Sequence, residues 1–354
     1  MKLGVYNCGE GSSVWKELEL RVVNSPSKLE RELYNHDIHF SQWNESVAGH
    51  HWLDRYCSSP YWGLALCEAF QPEGKLYCYR DSSDEHFAAF YERKVEGGEL
   101  ILPTDGMWLL GSSIFGPQPE VFFQELLQYW AKFPKGGTLR QIMLTGLYPN
   151  HPLMRSNPWE VFGGWEIESS GRMIASLENG LDGFMSRRSK NFRSRLRRMV
   201  KAATSAGIEV EFMPCQADLS TCETLIERIF RLEKQSWKGQ ARRGIDSGGM
   251  RHFYELMIPD LASDGLLRGL FLTREGKDLA YLFGASFDDY FRGLQFSFID
   301  EEKLGLGNVC QYHMISRLTE EGCVDYDLGQ AMAYKRRWAE THIESRSFIF
   351  QLKT

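Results

Sequence analysis

The sequence predicts an α+β protein made of two tandem domains of similar size. Three observations lead there. The chain has 354 residues, more than twice a common single-domain length. A Pro-, Gly- and Ser-rich stretch from Tyr148 to Arg172 interrupts the apolar pattern near the middle. Helix-like and strand-like segments then recur in a similar order on either side of it. The boundary is set at residue 165, with an N-terminal domain over 1–165 and a C-terminal domain over 166–354.

In the second half, Leu267 to Thr273, Asp278 to Phe287 and Tyr290 to Ile299 are rich in aliphatic and aromatic residues, with turn signals at Gly276-Lys277 and Asp288-Asp289. They read as a three-stranded antiparallel meander. Gly305-Leu306-Gly307 follows, and then Val309, Tyr312, Met314, Ile315 and Leu318 recur at helical spacing until Gly322. Cys323 to Leu328 and Ser345 to Leu352 read as two further strands. The first half repeats this order more weakly, with a helix at Pro60 to Phe70, strands at Lys75 to Arg80 and His86 to Lys94, a helix at Pro119 to Trp130 and a strand at Arg140 to Thr145. Eight of the ten tryptophans, Trp15 through Trp165, fall in that half and read as core or inter-domain packing residues.

Composition narrows the function. With 43% hydrophobic and 25% charged residues the chain is ordinary globular protein, and a net charge of −6 argues against a surface made wholly for polyanions. Met1 to Ser12 has no apolar run and no later stretch suits a membrane span, so the expected compartment is the cytoplasm. The eight cysteines form no CxxC pair and no zinc spacing, and His50-His51 reads as a polar turn, so no metal is expected.

One segment departs from the average. Met185 to Lys201 holds eight basic residues and no acidic one. At helical spacing Lys190, Arg193, Arg197 and Lys201 form a stripe, opposite Phe192, Leu196, Met199, Val200 and Ala203. Like charges so arranged repel by a few tenths of a kcal/mol per pair, which a bound phosphate would relieve. Lys190, Arg193 and Arg197 are therefore the candidate phosphate contacts. Glycines before a helix, as at Leu304, Gly305, Leu306, Gly307 and Asn308, can turn successive N–H groups toward one anion.

With these residues in view, the second half resembles the GNAT superfamily of N-acyltransferases. Glu302 to Gly307 fits the register of its Gln/Arg-x-x-Gly-x-Gly/Ala cofactor loop, with Glu302 in place of the neutral or cationic first residue. The likeness is nearest to the branch of cellulose-biosynthesis-associated acetyltransferases, related to FemAB-type peptidoglycan aminoacyltransferases. It rests on a basic opening helix (Ser186 to Arg198), a helix ending in Ser236-Trp237, and Tyr326-Asp327-Leu328-Gly329 followed by Tyr334-Lys335.

The resemblance implies two tandem GNAT-like domains, each a mixed, mostly antiparallel sheet flanked by helices, the first one degenerate. It implies transfer of an acyl group from acyl-CoA to an amine such as an amino sugar or a cell-envelope or polysaccharide precursor. An aminoacyl-tRNA donor, as in FemAB-like enzymes, and a non-catalytic scaffold that binds a polyanion or a protein partner are the alternatives. By the same resemblance, backbone N–H groups of Gln295, Phe296, Ser297 and Phe298 would polarise the donor carbonyl, and Leu304 to Asn308 would hold pyrophosphate. Asp327 is the candidate base, Tyr334 the proton donor to the leaving group, Lys335 an anion holder and Trp237 a wall of the acceptor pocket.

Overall fold

The computed structural model describes residues 29–70, 73–132, 139–157, 159, 163–240, 244–245 and 248–353. The expectations placed on 1–28, including Cys8 and Trp15, and on the Trp237 side chain lie outside the described residues.

In chain order the elements are β1 (Glu30–Leu33), α1 (His36–Val47), α2 (Pro60–Phe70), β2 (Lys75–Arg80), β3 (Phe87–Val95), β4 (Gly98–Pro103), β5 (Ile114–Phe115), α3 (Pro119–Lys132), β6 (Leu139–Leu147) and α4 (Pro152–Ser156). They continue with β7 (Trp165–Ser176), α5 (Gly180–Ser186), α6 (Lys190–Ser205), β8 (Glu209–Phe212), α7 (Leu219–Gln235), α8 (Trp237–Gln240) and α9 (Gly248–Ser263). Last come β9 (Leu267–Arg274), β10 (Lys277–Phe287), β11 (Tyr290–Phe298), α10 (Leu306–Glu320), β12 (Asp325–Gln330), a 3₁₀ turn (Ala333–Arg337) and β13 (Thr341–Lys353). None of the described helices is long and apolar enough to cross a membrane.

The strands join in one sheet ordered β1-β2-β3-β4-β6-β13-β7-β12-β11-β10-β9-β8, with β5 on β3. A pattern occurs twice in it. The meander β2-β3-β4 is followed by α3 and by β6 parallel to β4; the meander β9-β10-β11 is followed by α10 and by β12 parallel to β11. The closing strands are exchanged. β7, which follows β6, pairs with β12, while β13, which follows β12, pairs with β6. β7 and β13 then pair with each other.

This exchange corrects one expectation. The stretch to Arg172 that reads as a connection is from Trp165 onward a central strand. Its Glu, Ser and Gly content hides it, and Arg172 sits inside it because buried carboxylates face it, as described below.

Local signals explain the other boundaries. Gly207 and Gly322 take positive φ (75° and 86°) just after α6 and α10. The basic segment is two helices: α5 ends at Ser186, and Ser189 starts α6 by accepting from the Phe192 N–H (3.2 Å). In β9 and β10 alternate residues serve two cores. Leu270, Leu272, Ala280 and Leu282 pack with Phe184, Leu196, Ala203 and α10 on one face. Phe271, Tyr281, Phe283 and Ala285 pack on the other with α7, α9 and Tyr56, Tyr61 and Trp62 of the first half. That second core joins the halves, and the candidate site opens beside it.

Candidate functional site

β11 and β12 run together for only three residue pairs, ending at Arg292↔Asp327. Beyond them the strands separate. Against β10 the register jumps from Gly284↔Gly293 to Phe283↔Gln295, so Leu294 is an extra residue in β11, a bulge whose backbone is unpaired in that ladder. The gap opens into a cavity of about 800 Å³ lined by Gly293, Leu294, Gln295, Phe296 and Phe298 on the strand. Arg195 and Met199 of α6, the loop before α10 and the 3₁₀ turn close other sides, and Trp62, Trp108 and Leu110 bring the first half to its wall.

The lining is cationic, with Arg195, Lys238, Arg292, Lys303, Lys335 and Arg337, while Asp300 is its single carboxylate among the described residues. Lys335 is buried and donates to the Gln330 carbonyl (2.8 Å). Burial, reinforced by Arg292, pushes it down to about 8. Lys238 donates to the Phe296 carbonyl (2.6 Å) and to Gln295 Oε1 (3.3 Å), and burial lowers it too. Burial raises the Tyr334 hydroxyl to about 12, so it stays protonated at neutral pH.

The glycine loop takes an arrangement that its sequence does not reveal. Asp300 accepts from Leu304 N–H (2.7 Å), Gly305 N–H (2.7 Å) and Leu306 N–H (3.2 Å). Three of the five amides from Leu304 to Asn308 that would meet a pyrophosphate are thus engaged by the chain's own carboxylate. Gly305 has φ 78°, and a Cβ there would meet the Met199 sulfur at 2.9 Å; one at Gly307 would meet the Phe298 ring at 2.7 Å. Glu302 turns outward to Arg274 (2.6 Å).

Asp327 is not at the cavity surface. Its carboxylate is fully buried, accepts from Tyr290 (2.8 Å), the Gly329 N–H (2.7 Å) and Arg172 (2.5 Å), and contacts Arg292 at 2.7 Å. Burial alone would raise its pKa, but Arg172 and Arg292 outweigh burial and hold it below the usual carboxylate range. An acceptor so fully used is unsuited to take a proton from an amine, which revises the base expectation. Arg172 also binds Asp54, so one guanidinium on β7 ties the first half to β12.

The remaining expectations divide. Gln295, Phe296, Phe298, Gly305, Gly307, Asn308, Tyr334 and Lys335 line the cavity, whereas Ser297 is buried with its hydroxyl lacking an acceptor among the described residues. Leu304 and Leu306 meet Asp300 through their amides. On α6 the geometry changes which cation meets the cavity. Arg193 turns back to the Met185, Ser186 and Arg188 carbonyls (3.5, 3.4 and 3.0 Å), Lys190 and Arg197 are exposed away from the cavity lining, and Arg195 lines it. Sequence reasoning missed Lys238, Arg292, Asp300 and the Asp54–Arg172 link. Lys238 directly follows Ser236-Trp237 and was the nearest signal.

The seven described cysteines are free, and no three potential metal ligands cluster among the described residues.

A splayed strand pair with a bulge, a glycine loop entering a helix, and an exchanged closing strand define the acyltransferase fold type. Residues 190–336 match the family model described as an acetyltransferase (GNAT) domain. Among solved structures the chain is similar to FemX, with 11% identity, 90% of this chain and 96% of that one covered, and a TM-score of 0.62. A conserved protein of unknown function from Bacteroides thetaiotaomicron VPI-5482 gives 10% identity, 91% and 99% coverage, and a TM-score of 0.58. At such identities the likeness concerns the fold. No curated protein matches.

Proposed function

We propose that the protein is an N-acyltransferase and that transfer takes place in the cavity between β11 and β12. The observation carrying this is the bulged edge of β11 at Leu294, open to a cationic, half-apolar cavity. The Leu294 N–H is the preferred donor to the acyl carbonyl oxygen. The amine nitrogen attacks the carbonyl carbon, the new C–N bond forms, and the carbonyl electron pair moves to that oxygen. Collapse restores the carbonyl and breaks the bond to the carrier. Tyr334 gives its proton to the departing atom and is reprotonated with the proton that the amine releases.

No carboxylate at the surface is needed as base. Lys238, Lys335 and Arg292 disfavour a positive charge on an entering amine, so the neutral, nucleophilic form is favoured.

Two donor classes fit. Acyl-CoA, the usual donor of the GNAT fold, would set its pyrophosphate at Gly305 to Asn308 once Asp300 moved aside. The engaged cradle favours the second, an acyl ester such as aminoacyl-tRNA, as the resemblance to FemAB-type enzymes implies. Lys190, Arg195, Arg197, Arg198 and Lys201 have no ion-pair partner among the described residues and would track its phosphates. A phenol at about 12 also suits an alkoxide leaving group better than a thiolate. The acceptor is a small amine such as an amino sugar or a cell-envelope or polysaccharide precursor. Both donor pools are cytoplasmic, where we place the enzyme. We also retain the division at residue 165 as two GNAT-like units.

The test is a mass-resolved transfer assay with acyl-CoAs and charged tRNAs over an amine panel, comparing wild type with Tyr334→Phe. Transfer by wild type, slowed in Tyr334→Phe, supports the reading. Binding of donor with no transfer to any amine would favour a non-catalytic scaffold.

A further inference from the structure

Arg292 sits in β11 just before the strands part. It is 4% exposed and lines the cavity, yet neither Nε nor Nη1 has a hydrogen-bond acceptor among the described residues. Its 2.7 Å contact with Asp327 is ionic without hydrogen-bond alignment. Buried N–H groups without acceptors are costly and rare, so such a guanidinium signals a missing partner.

Two lysines face the same space. Lys335, 9% exposed, uses one of three ammonium N–H groups on Gln330. A Cβ on Gly329 would lie 3.7 Å from its Nζ and 3.8 Å from Arg292 Nη1, so the two cationic heads converge on one point. Lys238 reaches Gln295 and Phe296 on the adjoining strand edge. Asp54 and Asp327 already face Arg172 and Arg292. Glu233, which acts on Lys238, accepts from Tyr281 (2.9 Å). The lysines have no ion-pair carboxylate of their own among the described residues.

We propose that Arg292, Lys335 and Lys238 form an oxyanion-binding subsite, and that the amine acylated in the cavity carries a carboxylate or a phosphate that docks there. This rests on the cavity being the transfer site. Arg292 and Leu294 are two residues apart, about 7 Å along a strand, so the oxyanion lies only a few bonds from the reacting nitrogen. Amino-acid-like or amino-phosphate acceptors fit. The lowered pKa values of both lysines agree with charges awaiting a counterion.

Sodium acetate and inorganic phosphate, each against sodium chloride at equal ionic strength, are titrated into the full chain while thermal unfolding is followed. Saturable stabilisation beyond chloride is expected, and the anion that gives it separates carboxylate from phosphate. Lys335→Met should weaken the apparent affinity at least tenfold and Lys335→Arg should restore it to within about threefold of wild type. Arg346→Ala, on an exposed arginine of β13 that pairs with Glu166 outside the cavity lining, should leave anion affinity unchanged. Should Lys335→Met fail to fold by circular dichroism, Lys238→Met is measured in its place with the same expectation. Stabilisation no greater than chloride in wild type, or unaltered in the folded lysine variant, overturns the subsite. Because the readout is binding, failure of the transfer assay is a separate result that bears on the catalytic reading alone.

Discussion

Removing the Asp300 carboxylate should turn a poor CoA site into a better one. Its two oxygens hold three backbone N–H groups at 2.7, 2.7 and 3.2 Å. A pyrophosphate seeking those donors would meet a like charge within hydrogen-bonding distance of the same atoms. Two unit charges about 4 Å apart repel by roughly 1 kcal/mol in water and about 4 kcal/mol at a protein surface. Asp300→Ala should therefore raise CoA affinity by a factor between about 5 and 1,000. Asp300→Asn, which keeps one acceptor oxygen and loses the charge, should fall between wild type and Asp300→Ala. Calorimetric titration with CoA reads this directly, and the gain should shrink as salt rises. Tight CoA binding by wild type that weakens in folded Asp300→Ala would refute the reasoning, since Asp300 would then be shaping the cradle and not filling it.

Further expectations follow from the buried ion network and the basic helix. Arg172→Met strands Asp54 and Asp327 without their shared cation and should cost about 3–5 kcal/mol in denaturant unfolding, with part recovered by adding Asp327→Asn. His151 is buried, caps α4 through Leu153 N–H (3.1 Å), and is pushed down to about 3 by burial and then by His50. The folded state thus refuses a proton that the unfolded chain takes up near pH 6.5. The associated stability is present above that pH and declines toward pH 3, by at most about 1.4 kcal/mol per unit. His151→Asn, which can still cap, should flatten this part of a pH-dependent unfolding series, and an unchanged slope would reject the assignment. For Asp327, held below its usual range, the stabilisation is present above about pH 3.9 and is lost as pH falls through the folded value; Asp327→Asn should remove that acid-side loss. Tyr334→Phe should slow single-turnover transfer by roughly 10²- to 10⁴-fold. Arg195→Glu should weaken tRNA binding and flatten its salt dependence, and a filter-binding series with the same slope for both proteins would exclude α6 as the contact.

Much of this architecture was legible because periodicity and turn chemistry agreed. The Pro60–Phe70 helix and the Lys75–Arg80 strand have the bounds the pattern predicts. The meander was visible since both faces of β10 are buried, giving a continuous apolar run ended by Asp288 at φ 53°. β7 was hidden by its composition, because Arg172 is buried only thanks to Asp54, 118 residues away in sequence. Asp327 was placed at the correct strand end but given the wrong task, since its charged partners come from two other strands, β7 and β11. On α6 the two faces were read correctly, with Leu196 and Ala203 inward, but the cavity lies to the side, where Arg195 projects. Nothing local distinguishes Asp300 from an ordinary turn residue; only the folded loop aims its oxygens at three amides.

The claim with most resting on it is that the unpaired edge at Leu294 receives the acyl carbonyl. A crystal structure with a hydrolysis-resistant donor analogue tests this most directly. The carbonyl oxygen, or its mimic, should lie about 3 Å from the Leu294 nitrogen with the carrier leaving past Arg195. An analogue bound on another face of the sheet, with the cavity between β11 and β12 empty, would contradict the account.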